Sequence, residues 1–333
     1  MNSKPYEGLT PDAVLDALES VGLRGDGRLQ ALNSYENRVY QAALEDETYV
    51  VAKFYRPARW SDAQILEDHA FSIELSDREI PVVAPLKIGN NTLHQFSGYR
   101  FAVFARRGGR PPELEDDKVL EWIGRFLGRI HAVGATRPFQ VRPALDPNTF
   151  GTEPREWLLD SGLIPAELEE VWEGVSGEAL DRVKRCFDEA HDLKSIRLHG
   201  DCHAGNILWT VGENRAEALG GPHFVDLDDA RMGPAMQDLW MILAGDRETA
   251  TRQLRSLLAG YEKFHDFDHN QLLLVEALRA LRLLHYSYWI ARRWEDPAFP
   301  AAFPWFGTQR YWQDRILELR EQTSAMDEPP LSV

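Results

Sequence analysis

Two short stretches of this 333-residue chain hold the residue types that can do chemistry. The first is His199-Gly200-Asp201-Cys202-His203-Ala204-Gly205-Asn206, where a carboxylate and a carboxamide stand five positions apart. The second is Phe224-Val225-Asp226-Leu227-Asp228-Asp229-Ala230, an acidic cluster at the end of an apolar run. Phosphoryl transfer from ATP calls for such a set. One carboxylate takes the proton of the accepting hydroxyl, while an Asn and a second carboxylate hold Mg²⁺ on the phosphates. Asp201 then reads as the general base. Asn206 and Asp226 read as metal ligands, because hard oxygen donors suit Mg²⁺.

Other chemistries fit these residues less well. Zinc would need a further Cys pair or a spaced pair of helical histidines, and neither follows. Cys202 next to His203 suggests a nucleophile and its base, but adjacent residues of an extended loop point apart. A plain polar loop leaves the second acidic cluster unexplained. Protein kinases space their catalytic-loop Asp and Asn by the same interval, as H-R-D-L-x-x-x-N. Here Gly200 stands in place of the Arg, and His203 adds a second histidine.

The elements that must position these loops can be read from pattern. Thr10-Pro11-Asp12 opens a short helix that ends near Gly22, with Thr10 as N-cap and Pro11 in the first helical position. Runs rich in Val, Tyr and Phe over Leu29–Leu32, Asn37–Leu44 and Thr48–Tyr55 read as strands. Ser61-Asp62 caps a second helix, and Pro81 and Pro85 mark its exit. Leu86–Ile88 and Tyr99–Ala105 are two more strand candidates, with a turn at Gly89-Asn90-Asn91. Arg106–Pro112, rich in Gly and Pro, reads as a linker. Beyond it Val119, Trp122, Ile123, Phe126, Leu127 and Ile130 share one helical face. Further helices are expected over 165–190, 236–244, 247–263, 269–294 and 308–325, interrupted by short β segments over 196–230.

The expected fold is therefore α+β, with the bilobal arrangement of protein kinases. Residues 1–105 form a β-rich N-terminal lobe with one inserted helix, 106–112 a hinge, and 113–333 a mainly helical lobe carrying the catalytic and metal-binding loops. ATP is expected in the cleft between lobes.

Composition excludes several classes. Hydrophobic residues make up 44% and charged residues 27%, as in a globular enzyme. No apolar run is long enough to span a bilayer, so no membrane partner is expected. The opening residues, Met1 to Glu7, show no apolar signal segment. Two cysteines, Cys186 and Cys202, suggest reduced thiols and a cytoplasmic location. The net charge of −16 repels nucleic acid, while Mg²⁺ can neutralise a triphosphate locally. A monomer is expected.

Several further residues have a place in this scheme. Lys53, in Val50-Val51-Ala52-Lys53-Phe54, has the V-A-I-K type of setting in which a strand Lys pairs with α/β phosphates. Glu67 and Asp68 on the inserted helix compete to be its acidic partner. No G-x-G-x-x-G loop exists, and Asn33-Ser34-Tyr35-Glu36-Asn37 occupies the first strand turn. Ser34 could donate to terminal phosphates or serve the turn alone. Asp228 has two open readings, a second metal ligand or a loop hydrogen-bond partner, and Asp229 is expected to face solvent. His199 and His203 read as braces of the loop. The aromatic tail from Phe299 to Trp312 reads first as core packing.

The string His199–Asn206 resembles the H-G-D-x-H-x-x-N signature of the aminoglycoside phosphotransferase and choline kinase superfamily. Longer strings narrow the resemblance: Leu32–Gln41, Val51–Pro57, Arg197–Trp209, Phe224–Arg231, Arg292-Arg293-Trp294 and Asp296–Pro300. Together they are similar to the stress response kinase A family of bacterial Ser/Thr protein kinases, over nearly the whole chain. The resemblance implies a cytoplasmic kinase that uses ATP and Mg²⁺, acts on Ser/Thr of protein substrates and serves a stress response. It also implies that Ser34 lies at the ATP site and that Asp238 anchors the catalytic loop from a helix start. A kinase for a small alcohol such as choline, homoserine or an aminoglycoside shares the same motif. A pseudokinase that only binds has no need of Lys53, Asp201, Asn206 and Asp226 together.

Overall fold

The computed structural model of the chain describes residues 5–210 and 220–333, so Met1–Lys4 of the N-terminal segment, and 211–219 within the stretch expected to hold short β segments, lie outside the described residues. Helix α1 (Pro11–Ser20) precedes strands β1 (Gly25–Leu32), β2 (Arg38–Leu44) and β3 (Tyr49–Phe54). Helix α2 (Asp62–Asp77) comes next, then β4 (His94–Phe96), β5 (Tyr99–Ala105) and helix α3 (Asp117–Gly134). Helices α4 (Glu153–Asp160) and α5 (Ala166–Glu189) lead to β6 (Ile196–Leu198), β7 (Ile207–Thr210), β8 (Gly221–Phe224) and β9 (Arg231–Gly233). The chain ends in α6 (Met236–Trp240), α7 (Arg247–Tyr261), α8 (Leu274–Ala291), α9 (Ala298–Ala302) and α10 (Gln309–Ala325).

The chain divides into two compact units. The first takes in the chain up to Glu113 together with Phe139–Arg142 and His203–Ala230. The second comprises Leu114–Pro138, Pro143–Cys202 and Arg231–Val333. The first unit is built on an antiparallel sheet of order β1-β2-β3-β5-β4. One face is closed by α1, whose Val14, Ala17 and Leu18 pack with Ala42, Ala52, Phe54, Phe101 and Val103. Thr10 caps α1 by accepting the Ala13 N–H, and Pro11 is its first residue. Ser61 and Gln64 form a reciprocal capping box at the start of α2.

The sheet departs from expectation at one strand. Leu86–Ile88 forms no strand: beside β5 it keeps only the Leu86 N–H donated to the Val103 carbonyl at 2.7 Å, and the strand that pairs with β5 is His94–Phe96. Pro85 has no N–H to extend a ladder. The β4–β5 turn instead uses Ser97 and Gly98, both at positive φ, the backbone a two-residue hairpin requires. The turn at residues 89–91 is present, closed by Ile88 and Asn91. Two ties join the β7–β8 hairpin to this unit. Phe224 bridges Val82, and Trp209 exchanges two backbone hydrogen bonds with Arg110 of the Gly/Pro-rich segment.

The second unit is helical apart from the short β6–β9 ladder. Helices α3 and α7 approach through glycine. A Cβ on Gly124 would lie 1.9 Å from the Leu257 carbonyl oxygen, and one on Gly260 2.0 Å from that of Glu121. The expected helices over 165–190, 247–263 and 308–325 are present, while the one over 269–294 splits into a 3₁₀ turn at His269–Leu273 and then α8. The aromatic tail is core: Phe299, Phe303, Phe306, Tyr311 and Trp312 pack with Trp172 and Leu284. Among the described residues no helix is long and apolar enough to cross a membrane.

Candidate active site

The first unit brings together Lys53, Asn206, Asp226 and Asp228. The local cause for two of them is the β7–β8 hairpin. Ile207 pairs with Phe224, so Asn206 and Val225 flank the same end of the ladder. There the Val225 N–H donates to the Asn206 carbonyl at 3.0 Å. Asp226 follows in left-handed backbone, φ +62°, which is uncommon for a residue with a side chain. Its carboxylate is half-exposed, with Oδ1 2.5 Å from Lys53 Nζ. The second neighbour of Lys53 is Asp228, at 3.4 Å.

Lys53 sits in the middle of β3, opposite Val39 and Ala102, and is buried. Burial alone would lower its ammonium, but Asp226 and Asp228 raise it above the ordinary Lys value. Neither helix carboxylate supplies its ion pair. Glu67 accepts instead from the backbone N–H groups of Gln140, Val141 and Arg142. Asp68 lies close enough for its charge to act on Lys53.

Asp68 is buried on α2, and that burial pushes its carboxyl up to about 7, against the opposing pull of Arg142 and Lys53. A raised folded-state value means that the folded chain holds this proton more tightly than the unfolded chain. The stability it contributes is full below about pH 4, the unfolded value, and is lost as pH rises through about 7. Asp68→Asn is expected to flatten the fall in stability across that window. Urea denaturation midpoints measured from about pH 4 to pH 8 read it, and an unchanged slope in the variant would contradict it.

Asp228 is a structural hub. It is buried and accepts from Asn37 Nδ2 at 3.1 Å and from Arg59 Nη1. Burial opposes its ionisation, but Lys53 and Arg59 hold its carboxyl below the ordinary range. Asp229, expected in solvent, is ion-paired to Arg59 Nη2 at 2.7 Å. Arg59 also reaches Glu36 at 3.3 Å. Arg142, likewise buried, donates to the carbonyls of Gln64, Asp228 and Ala230, so it ties α2 to the 226–230 loop. Sequence reading missed Arg59 and Arg142. The signal that could have found them is charge balance: in an acidic cluster such as residues 226–229, any carboxylate folded inward needs a buried cation. Ser34 lies in the β1–β2 turn.

The second unit holds Asp201 and its supports. Gly200 has φ +87°, a backbone that the kinase Arg at this place would strain. Asp238, at the start of α6, fixes the loop. Its Oδ2 accepts from the His199 N–H at 2.8 Å, and its Oδ1 from the Gly200 N–H at 2.8 Å. His131 Nε2 donates to the same carboxylate at 3.0 Å, and Tyr261 OH lies 2.9 Å from His131 Nδ1. Burial opposes the charge on Asp238, yet these donors hold its carboxyl below the ordinary value. His203, in the first unit, braces the other end of the loop by accepting from the Gly205 N–H at 3.0 Å. Asp201 is paired with Arg282 on α8, Oδ1 to Nη1 at 3.0 Å. Cys202 is buried, which pushes its thiol well above the ordinary value and disfavours a thiolate nucleophile. Among the described residues no cluster of His, Cys, Asp and Glu has the make-up of a metal site of three or more such ligands.

Comparison with known proteins gives these residues a family. The phosphotransferase enzyme family matches residues 28–284. Stress response kinase A of Salmonella choleraesuis is 45% identical over 332 residues, covering 100% of this chain and 98% of the relative. The serine/threonine protein kinase RdoA of Salmonella typhimurium is 44% identical with the same coverage. Among solved structures, the amicoumacin kinase hAmiN in complex with AMP-PNP, Ca²⁺ and Ami has a TM-score of 0.71 at 17% identity, covering 96% of this chain and 95% of that one. A microcompartment-associated aminopropanol kinase has a TM-score of 0.68 at 16% identity, covering 96% and 97%. At such identities the likeness establishes the kinase-like fold alone.

Proposed function

The chain belongs to the phosphotransferase enzyme family, and from that premise we propose that it is an ATP- and Mg²⁺-dependent kinase that phosphorylates Ser and Thr hydroxyls of proteins. One observation carries the chemistry. A buried Lys53 faces the half-exposed Asp226, whose hairpin also presents Asn206. The protein acceptor is supported by full-length similarity to one relative named a serine/threonine protein kinase. The stress response kinase names of the other relatives support a stress role, and two free, buried cysteines suit a cytoplasmic location.

The donors suit Mg²⁺. The ion takes one or two protein carboxylates and fills its remaining positions with water and phosphate oxygens. Asn206 and Asp226 would supply a carboxamide and a carboxylate oxygen from one hairpin end. Held there by Asn206 and Asp226, Mg²⁺ would offset the charge of the phosphates. Asp228 is left to its structural partners.

The chain's own groups do the rest. Lys53 neutralises the α/β phosphates, and Ser34 offers its hydroxyl from the β1–β2 turn. The acceptor oxygen forms its bond to the γ-phosphorus as the bond to ADP breaks, and Asp201 takes the hydroxyl proton. Asp238 holds the backbone on which Asp201 rides. Incubating the protein with labelled ATP, a protein mixture and a panel of metabolite alcohols tests the acceptor. Label in protein is expected. Label confined to choline, homoserine or an aminoglycoside would move the assignment to a small-molecule kinase.

A further inference from the structure

The loop before Asp201 is held through its backbone. Asp238 accepts the N–H groups of His199 and Gly200, so the main chain leading into Asp201 is fixed from α6. That hold does not set the side-chain torsions of Asp201, and a carboxylate that can rotate is a poor base. An ion pair to this carboxylate comes from α8. Arg282 Nη1 lies 3.0 Å from Asp201 Oδ1, with the two side chains 34% and 22% exposed. Helix α8 is a rigid mount, since Leu278, Leu281 and Leu284 around Arg282 are all buried. The neighbouring Arg279 is committed to Glu276, at 3.0 Å and 3.2 Å.

An ion pair this exposed adds little to stability, because solvent screens it and two long side chains must be ordered. Its consequence lies in geometry. A guanidinium 3.0 Å from Oδ1 favours one orientation of the carboxylate electrostatically, and hence where Oδ2 is aimed. We infer that Arg282 is the positioning residue of the general base, setting the orientation of the Asp201 carboxylate toward the accepting hydroxyl. The inference rests on the reading of Asp201 as that base.

The test combines Arg282→Met, Arg282→Lys, Asp201→Asn and the Arg282→Met/Asp201→Asn double variant in the intact protein. Arg282→Met is expected to lower kcat by roughly 10- to 100-fold, the scale of a base misplaced by about 1 Å, with the KM for ATP within about twofold. Arg282→Lys, which keeps the charge on a shorter donor set, is expected to recover part of that loss. In the Asp201→Asn background, Arg282→Met is expected to change the residual rate by less than about twofold, as for residues that act as a unit. Wild-type kcat in Arg282→Met would overturn the inference while leaving the base in place. So would an equal fractional loss in both backgrounds, which marks a structural role. Wild-type turnover in Asp201→Asn would instead overturn the base assignment, and the inference with it.

Discussion

Asp201→Asn is expected to lower kcat by at least about 100-fold while ATP binding stays within about twofold of wild type. Asn has the same shape but cannot take the acceptor's proton at neutral pH. The backbone hold on the loop does not involve the replaced atoms, since Asp238 grips the N–H groups of His199 and Gly200. The groups assigned to nucleotide, Lys53 and Asp226, keep their own contacts in the first unit. Steady-state kinetics with calorimetric ATP titration separates the two effects. A variant with near-wild-type kcat would remove Asp201 from the base role.

Asp226→Ala is expected to do comparable damage by a different route. Removing one preorganised electrostatic group at a reacting centre costs on the order of 10²–10³ in kcat. Here the loss should also appear as a higher Mg²⁺ requirement. Lys53 would remain buried with Asp228 as its nearest carboxylate, so the variant also removes an ion-pair partner. Asn206→Ala keeps that ion pair and gives the cleaner comparison: the same shift in Mg²⁺ dependence without the loss at Lys53. Titrating Mg²⁺ against initial rate in both variants is the measurement. Activity retained with an unchanged Mg²⁺ midpoint would exclude both residues from the metal.

What sequence made legible was local. Thr10 and the Ser61/Gln64 box announce their helices through caps, and the alternation of Val50 to Phe54 marks a strand with Lys53 on it. Asp201 and Asn206 lie within one short string, and that string carries the family resemblance as well as the proposed chemistry. What stayed hidden was tertiary. Arg59 meets Asp228 and Asp229 across about 170 positions of chain, and Arg282 meets Asp201 across about 80. No periodicity encodes such pairs, since each depends on two elements packing. The contest between Glu67 and Asp68 was also beyond a one-dimensional reading. Adjacent helix positions differ by about 100° in direction, so only packing decides which one meets the 140–142 backbone. The strand expected at Leu86–Ile88 failed for a backbone reason, the missing N–H of Pro85. Its replacement at His94–Phe96 rests on a turn, Ser97-Gly98, that apolar content does not flag.

The central claim is Asp201-dependent phosphoryl transfer to Ser or Thr of a protein. Phosphosite mapping by mass spectrometry, after incubation of the wild type and Asp201→Asn with ATP, Mg²⁺ and a protein mixture, tests it most directly. The expected result is phosphoserine or phosphothreonine with the wild type and near-background levels with the variant. Equal phosphate on Ser and Thr with both proteins, or phosphate found on a metabolite alcohol with none on protein, would contradict it.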